Sequence, residues 1–332
     1  MIDPIAKINP QIFENDIEKT PTRNGFGDGV AEEGGRNKNI VVLTADLSES
    51  VRAHTFAEKF PDRFFECGIA EQSMVSVAAG LAAIGKIPFA TSYAVFSPGR
   101  NWEQIRSTVC YNNQPVKIIG SHAGLLTGPD GGTHQALEDI AITRTLPNLT
   151  VINPCDYQEA KKATIACSKT AEPTYIRTCR AKTPNITTKN TPFEIGKAGR
   201  VFKSHNSGTD VAILSTGILL HSAMKVAHEL EGQGIGVEVL NFHTIKPIDE
   251  KSIINVAKRA GAIVTVEEHQ KKGGFGSAVA EVLSENLPTP QEYVAVDDEY
   301  GQSGDGNELL EHYSLSENDI EKAVKRVLER KS

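Results

Sequence analysis

CGIAEQSMVSVAAGLAAIGKIPFATSYAVF, residues 67–96, is the stretch on which the fold turns. From Glu71 to Ile84 it is largely apolar and free of proline, which predicts a helix over 71–84. Gly85-Lys86 interrupts the pattern, and the residues from Ile87 to Thr91 read as a strand. Outward from here the alternation repeats. Strands are expected at 40–45, 116–120, 150–152 and 174–177, and helices at 102–110, 135–143 and 156–168. Such alternation implies a parallel sheet with helices on both faces. Residues 181–199, rich in Pro, Thr, Asn and Lys, break the rhythm and read as a linker. Alternation resumes with strands at 210–214, 236–240 and 262–266, helices at 218–231 and 274–287, and a helical tail at 317–331. The expectation is therefore an α/β protein of two doubly wound domains joined near residue 190.

Composition narrows the function. The 332 residues are 39% hydrophobic and 23% charged, with a formal net charge of −7. No basic field is available to hold nucleic acid. The start, MIDPIAKINPQIFENDIEK, lacks the apolar core of a secretion signal, and the longest apolar run, 74–85, is too short to span a bilayer. Five cysteines without a CxxC pair point to free thiols and a cytoplasmic location.

Ligands of open parallel sheets sit beyond the carboxyl ends of the strands, so the strand-to-helix turns of the first domain carry the interest. Those of the second domain offer less. Glu71 opens an apolar helix, either as a simple complement to its dipole or as a carboxyl that exchanges a proton with a bound heterocycle. Residues 121–134, SHAGLLTGPDGGTH, hold His122, His134, Asp130 and four glycines in one connection. A loop of this length in a compact domain is more often functional than ornamental, and its histidines can donate to substrate oxygens. Tyr93 and Phe96, followed by Arg100, are either core or a platform for a flat ring. Arg23, Arg177 and Arg180 are candidate phosphate ligands, because guanidinium forks match phosphate oxygens.

Three glycine motifs invite misreading. Gly27-Asp28-Gly29 and Gly304-Asp305-Gly306-Asn307 begin like a magnesium–diphosphate motif, but both follow polar runs and no apolar strand. Gly273-Gly-Phe-Gly276 lacks the remainder of a dinucleotide fingerprint and suits close helix–strand packing.

In this order the turns resemble the C-terminal section of transketolase. The matching pieces are Pro-Thr-Arg23, Ala45-Asp-Leu-Ser-Glu-Ser50, Gly68-Ile-Ala-Glu-Gln-Ser-Met74, Pro88-Phe-Ala-Thr-Ser-Tyr-Ala-Val-Phe96 and the loop 121–134 with Gln135. Leu146-Pro-Asn148, Asn153-Pro154, Tyr175-Ile-Arg177 and Val266-Glu-Glu-His269 extend the likeness over nearly the whole chain from residue 20. The resemblance implies an N-terminal arm (1–20), a thiamine-diphosphate-binding pyrimidine domain (21–185), a linker (186–200) and a transketolase C-terminal domain (201–332).

It also implies roles. Glu71 would bond the aminopyrimidine of thiamine diphosphate and act with His122 and His134 in catalysis. Phe96 and Tyr93 would line the ring pocket, and Asp46 would lie near the cofactor. His122, Asp130 and His134 would hold the ketose, while Arg23, Ser50 and Arg180 grip its terminal phosphate. The implied activity is reversible transfer of a two-carbon ketol unit between sugar phosphates, in the pentose phosphate route or on unusual branched sugars. The diphosphate-binding domain of that family has no counterpart in these residues. A separate N-terminal subunit is therefore expected to bring it, together with magnesium or calcium, in a heterotetramer. Deoxyxylulose-phosphate synthase shares Gly-Ile-Ala-Glu-Gln but usually lacks a match to His122. The beta subunit of 2-oxo-acid dehydrogenases lacks Asp-Gly-Gly-Thr-His, and a non-catalytic scaffold would have lost Glu71 or the histidines.

Overall fold

The computed structural model describes residues 1–205 and 208–331. Its first half runs β1 (Lys19–Pro21), α1 (Thr22–Arg36), β2 (Ile40–Thr44), α2 (His54–Lys59), β3 (Phe64–Glu66), α3 (Glu71–Ala83), β4 (Ile87–Tyr93), α4 (Trp102–Gln104), β5 (Lys117–Ser121), α5 (Asp139–Arg144), β6 (Thr150–Ile152), α6 (Tyr157–Cys167), β7 (Thr174–Arg177) and β8 (Lys182–Pro184). The second half runs β9 (Gly199–Lys203), β10 (Val211–Ser215), α7 (Leu220–Gly232), β11 (Val237–Asn241), β12 (Thr244–Lys246), α8 (Glu250–Ala260), β13 (Ile263–Gln270), α9 (Phe275–Asn286), β14 (Gln291–Val296), α10 (Gly306–His312) and α11 (Glu317–Glu329).

Two α/β sheets result. The first has the order β12-β6-β7-β5-β4-β2-β3 and the second β14-β13-β10-β11-β9. The inner strands are parallel and buried at every position in β2, β5, β10 and β11, as β-branched runs covered on both faces must be. The sheets are nevertheless mixed, because each ends in an antiparallel edge strand, β12 on β6 and β9 on β11. β12 comes from the second half of the chain yet extends the first sheet, with Thr244 opposite Ile152. The N-terminal arm in turn lies on the second half: Asp3 N–H donates to Val201 O (2.9 Å) and Ile2 bridges Phe202.

Several expected elements shift. The stretch read as a linker contains β8, which pairs with β1. The helix expected at 102–110 is one α-turn, α4, that widens into a π-helix over Ile105–Tyr111. There the Ser107 and Thr108 hydroxyls donate back to the Glu103 and Gln104 carbonyls, an arrangement that competes with regular helical bonding. The helix expected from 135 starts at Asp139, because Ala136 is extended and bridges Ala123.

The glycine motifs have structural explanations. Gly27 and Gly29 sit inside α1, where Gly25 and Gly29 let it close on α6; a Cβ on Gly29 would lie 3.1 Å from the Lys161 carbonyl. Asp28 accepts from the Tyr157 hydroxyl (2.7 Å). Asp305 caps α10, its carboxylate accepting from Asn307 N–H (2.9 Å). At the start of α9 the backbone N–H groups of Phe275 and Gly276 already donate to buried Glu267 (2.6 and 2.8 Å), which leaves that helix end no vacancy for phosphate.

Candidate active site

The loops after β2, β3, β4, β5 and β7 leave the carboxyl edge of the first sheet together. Apart from Arg177, which lies in β7, the residues expected at the site lie on one of these loops, at the end of β4, at the start of α3, or in α1.

Glu71 is the first residue of α3 and is 2% exposed. Its Oε2 accepts from Arg100 Nη1 (3.0 Å), while Oε1 makes no bond among the described residues. Asn101 fixes the helix start, donating to the Glu71 carbonyl and to Ser97 Oγ (3.1 Å each). The Arg100 guanidinium also lies 4.9 Å from the centre of the Phe96 ring, so it ties the carboxylate to the aromatic pair.

Tyr93 and Phe96 lie in nearly parallel planes, 8° apart, with ring centres 6.0 Å from each other. His122 stacks on Tyr93 at 3.8 Å, and His134 meets Tyr93 and Phe96 edge-on at 6.2 and 5.6 Å. The fold thus brings the aromatic turn and the histidine loop into one cluster.

His122 has a defined tautomer. Arginine only donates, so the 3.1 Å contact of Arg23 Nη1 with Nε2 makes Nε2 an acceptor and leaves the proton on Nδ1, which donates to Ser121 Oγ (2.9 Å). Burial, followed by the charge of Arg23 and Arg180, pushes the ring's pKa down to about 3. His122 is a neutral ring at working pH. Its φ of 53° is left-handed, as are those of Asp46 (59°) and Arg52 (67°), and non-glycine residues carry such strain where surrounding contacts impose it.

Arg23, Arg52 and Arg180 gather beside this ring. They donate to the Ser50 carbonyl (2.8 Å), the Asn24 amide oxygen (2.9 Å) and the Thr127 carbonyl (3.0 Å), and none has a carboxylate partner among the described residues. Arg23 Nε is buried with no partner among the described residues. Three uncompensated cations with an orphaned donor are chemically suited to an anion. Ser50 enters through its backbone carbonyl, and Asp130 is exposed near the tip of the loop. Asp46 is exposed on its turn, its N–H held by Glu66 Oε1 (2.8 Å), which also takes Gly68 N–H (2.9 Å) just ahead of α3.

Arg177 departs from expectation. It is buried, with Nε on Asp139 (3.0 Å) and Nη1 on Glu268 (3.4 Å), and so serves to join the two halves and cannot grip phosphate. Arg52 and Glu66 are residues of the candidate site that sequence reasoning missed, as is the pairing of Arg100 with Glu71. Arg52 stands two residues beyond Ser50, so position alone was a usable signal; the pairing of Arg100 with Glu71 had none.

Nothing among the described residues covers the outward face of α3. Ile69 (74% exposed), Val77 and Ile84 line this face with Ser73, Ser76 and Gly80, and the π-helix that packs beside α3 ends in the exposed Tyr111 (83% exposed). Exposed apolar residues in a row beside the buried Glu71 carboxylate make this face a candidate interaction surface.

The fold and the site define a two-sheet α/β protein with an arginine-lined, aromatic pocket at the carboxyl edge of its first sheet, and comparisons with known proteins specify its family. Residues 18–185 match the family model "Transketolase, pyrimidine binding domain" and residues 200–320 match "Transketolase, C-terminal domain". The chain is 39% identical to the 6-deoxy-6-sulfo-D-fructose transketolase subunit SqwH of Clostridium sp. strain MSTE9, covering 97% of this chain and 99% of that one. It is 37% identical to an apulose-4-phosphate transketolase subunit of Phocaeicola vulgatus, covering 90% and 94%. A split-gene transketolase solved as an inactive β4 tetramer superposes with a TM-score of 0.87 at 42% identity, over 94% of this chain and 99% of that one. The chain belongs to the transketolase family, as the C-terminal section of a split transketolase.

Proposed function

We propose that the chain supplies the pyrimidine half of a two-chain thiamine diphosphate site and, with an N-terminal subunit, transfers a two-carbon ketol unit between sugars that end in an anion. One observation carries this reading: α3 bears both the buried Glu71 carboxylate, with one oxygen free, and the uncovered apolar face beside it. A partner seated on that face would close the pocket. The pyrimidine-binding family match implies thiamine diphosphate, and the free Glu71 oxygen beside the parallel Tyr93 and Phe96 rings suits a flat amino-heterocycle. When bound, that cofactor supplies the carbon nucleophile. Glu71 holds or shares a proton with its ring nitrogen, and Arg100 keeps the carboxylate oriented. Neutral His122 offers Nδ1–H only to Ser121, so it orients while His134 and Asp130 meet sugar oxygens. Arg23, Arg52 and Arg180 take the terminal anion, and the two named relatives act on a sulfonated and a phosphorylated sugar. Ketose and aldose phosphates of the pentose phosphate type are the first substrates to test.

Magnesium or calcium and the diphosphate are assigned to the partner, in a heterotetramer, with the chain divided at 1–20, 21–185, 186–200 and 201–332. Five free cysteines suit a cytoplasmic setting, and no helix among the described residues is long and apolar enough to cross a membrane. The inactivity of the β4 relative accords with half a site. The test is cofactor titration of the purified chain with and without its N-terminal partner, followed by a ketol-transfer assay. Binding and turnover should require both chains; turnover by this chain alone would falsify the proposal.

A further inference from the structure

The loop that carries His122, Asp130 and His134 is built against the second half of the molecule. Leu125, fully buried between the two histidines, belongs to the same hydrophobic core as Val266, Val294, Leu309 and Leu315. Leu126 N–H donates to Oε1 of Glu268 in β13 (2.8 Å). Glu268 is itself buried and held by Arg177, whose Nη2 donates to the Glu268 carbonyl (2.8 Å). Gly124 passes so close that a Cβ there would overlap the Glu268 carboxylate.

A second set of contacts lies further along the loop. Gln135 Nε2 donates to the loop carbonyls of Leu125 (3.2 Å) and Gly128 (3.3 Å) and also to the Gln302 carbonyl beyond β14 (2.9 Å). A Cβ on Gly131 would lie 2.6 Å from Ser303 Oγ, and one on Gly132 would overlap the Gly301 carbonyl. The loop's glycines are therefore needed for close approach to the second domain as much as for any ligand.

From these contacts we propose that the second domain moulds the sugar-binding loop, with Glu268 as a positioning residue for His122, Asp130 and His134. The proposal rests on the reading of this loop as the donor-sugar grip. A carboxylate fixed by Arg177 and bonded to the loop's central N–H sets where the two histidines stand on either side. It touches no substrate itself.

The test uses the complex reconstituted with the N-terminal subunit. Glu268→Ala should raise the donor KM and lower kcat/KM for the donor by roughly ten- to a hundredfold, the scale of a small misplacement of binding groups. Affinity for thiamine diphosphate and the acceptor KM should hold within about twofold on the same ground. Glu268→Gln keeps an oxygen for Leu126 N–H and should recover part of the loss. Parallel loss of cofactor affinity and both substrates, or an unchanged donor KM, would overturn the idea. If Glu268→Ala does not fold, Gly132→Ala presses on the loop's other contact with the second domain, at the Gly301 carbonyl, without removing a charge, and an unchanged donor KM there overturns the moulding of the loop. Amide exchange of Leu126 in the chain alone needs no activity. It should speed up in Glu268→Ala, which removes the acceptor of Leu126 N–H, and stay near the parent rate in Glu268→Gln, even should the complex prove not to be a ketol transferase; no change in exchange in Glu268→Ala rejects the positioning role whatever the activity.

Discussion

Glu71 and His122 carry separate predictions at the residue scale. Replacing Glu71 with Gln removes the group proposed to share a proton but keeps its shape, and the released Arg100 is half exposed. Ketol transfer by the reconstituted complex should fall roughly a hundred- to ten-thousandfold, the usual range for a lost acid–base group, with little change in the chain's melting temperature. For His122 the native pKa, about 3, lies below the ordinary 6.5 of the unfolded ring. The unfolded state therefore takes up the proton first. Stability from this residue is intact above 6.5 and is lost as pH falls towards 3. NMR of the His122 ring should show no titration between neutrality and pH 5, and the acid loss should shrink in His122→Gln. Much of this was legible in sequence, because Glu71, Arg23, Arg180 and both loop histidines stand in short motifs at turns. Arg100 reaches Glu71 from 29 residues away, and nothing local announces such a pairing.

At the scale of elements, α1 shows how a motif can mislead and a helix contact correct it. Gly25 and Gly29 are contact points with α6, and Asp28 is occupied by Tyr157. Gly25→Ala would force a methyl group against the Tyr157 carbonyl, and overpacking of this kind costs about 1–3 kcal/mol. Urea denaturation should show that loss, whereas Asp28→Asn should leave the metal requirement of the complex unchanged. The long buried strands were readable from their β-branched runs. β9 and β12 were not: they are short antiparallel edges whose existence depends on a neighbour supplied by the fold. The turn beyond β14 reads as little more than a polar connector for the same reason. Its service to the loop at 121–134 exists only once the two sheets meet.

For the whole molecule, the buried cluster of Asp139, Arg177 and Glu268 spans both halves. Arg177→Met would leave two carboxylates buried without their cation, and breaking such a cluster costs about 3–5 kcal/mol. Equilibrium unfolding of the chain should register the change as one cooperative loss, since the halves share their cores as well as this charge cluster. β12 carries the same point into the covalent layout. A protease that nicked the chain between β8 and β9 would release two pieces on a denaturing gel, yet they should travel together through a sizing column. The second piece retains the strand that shields the rim of the first sheet, so neither piece could be transplanted as a self-contained module without leaving that rim bare.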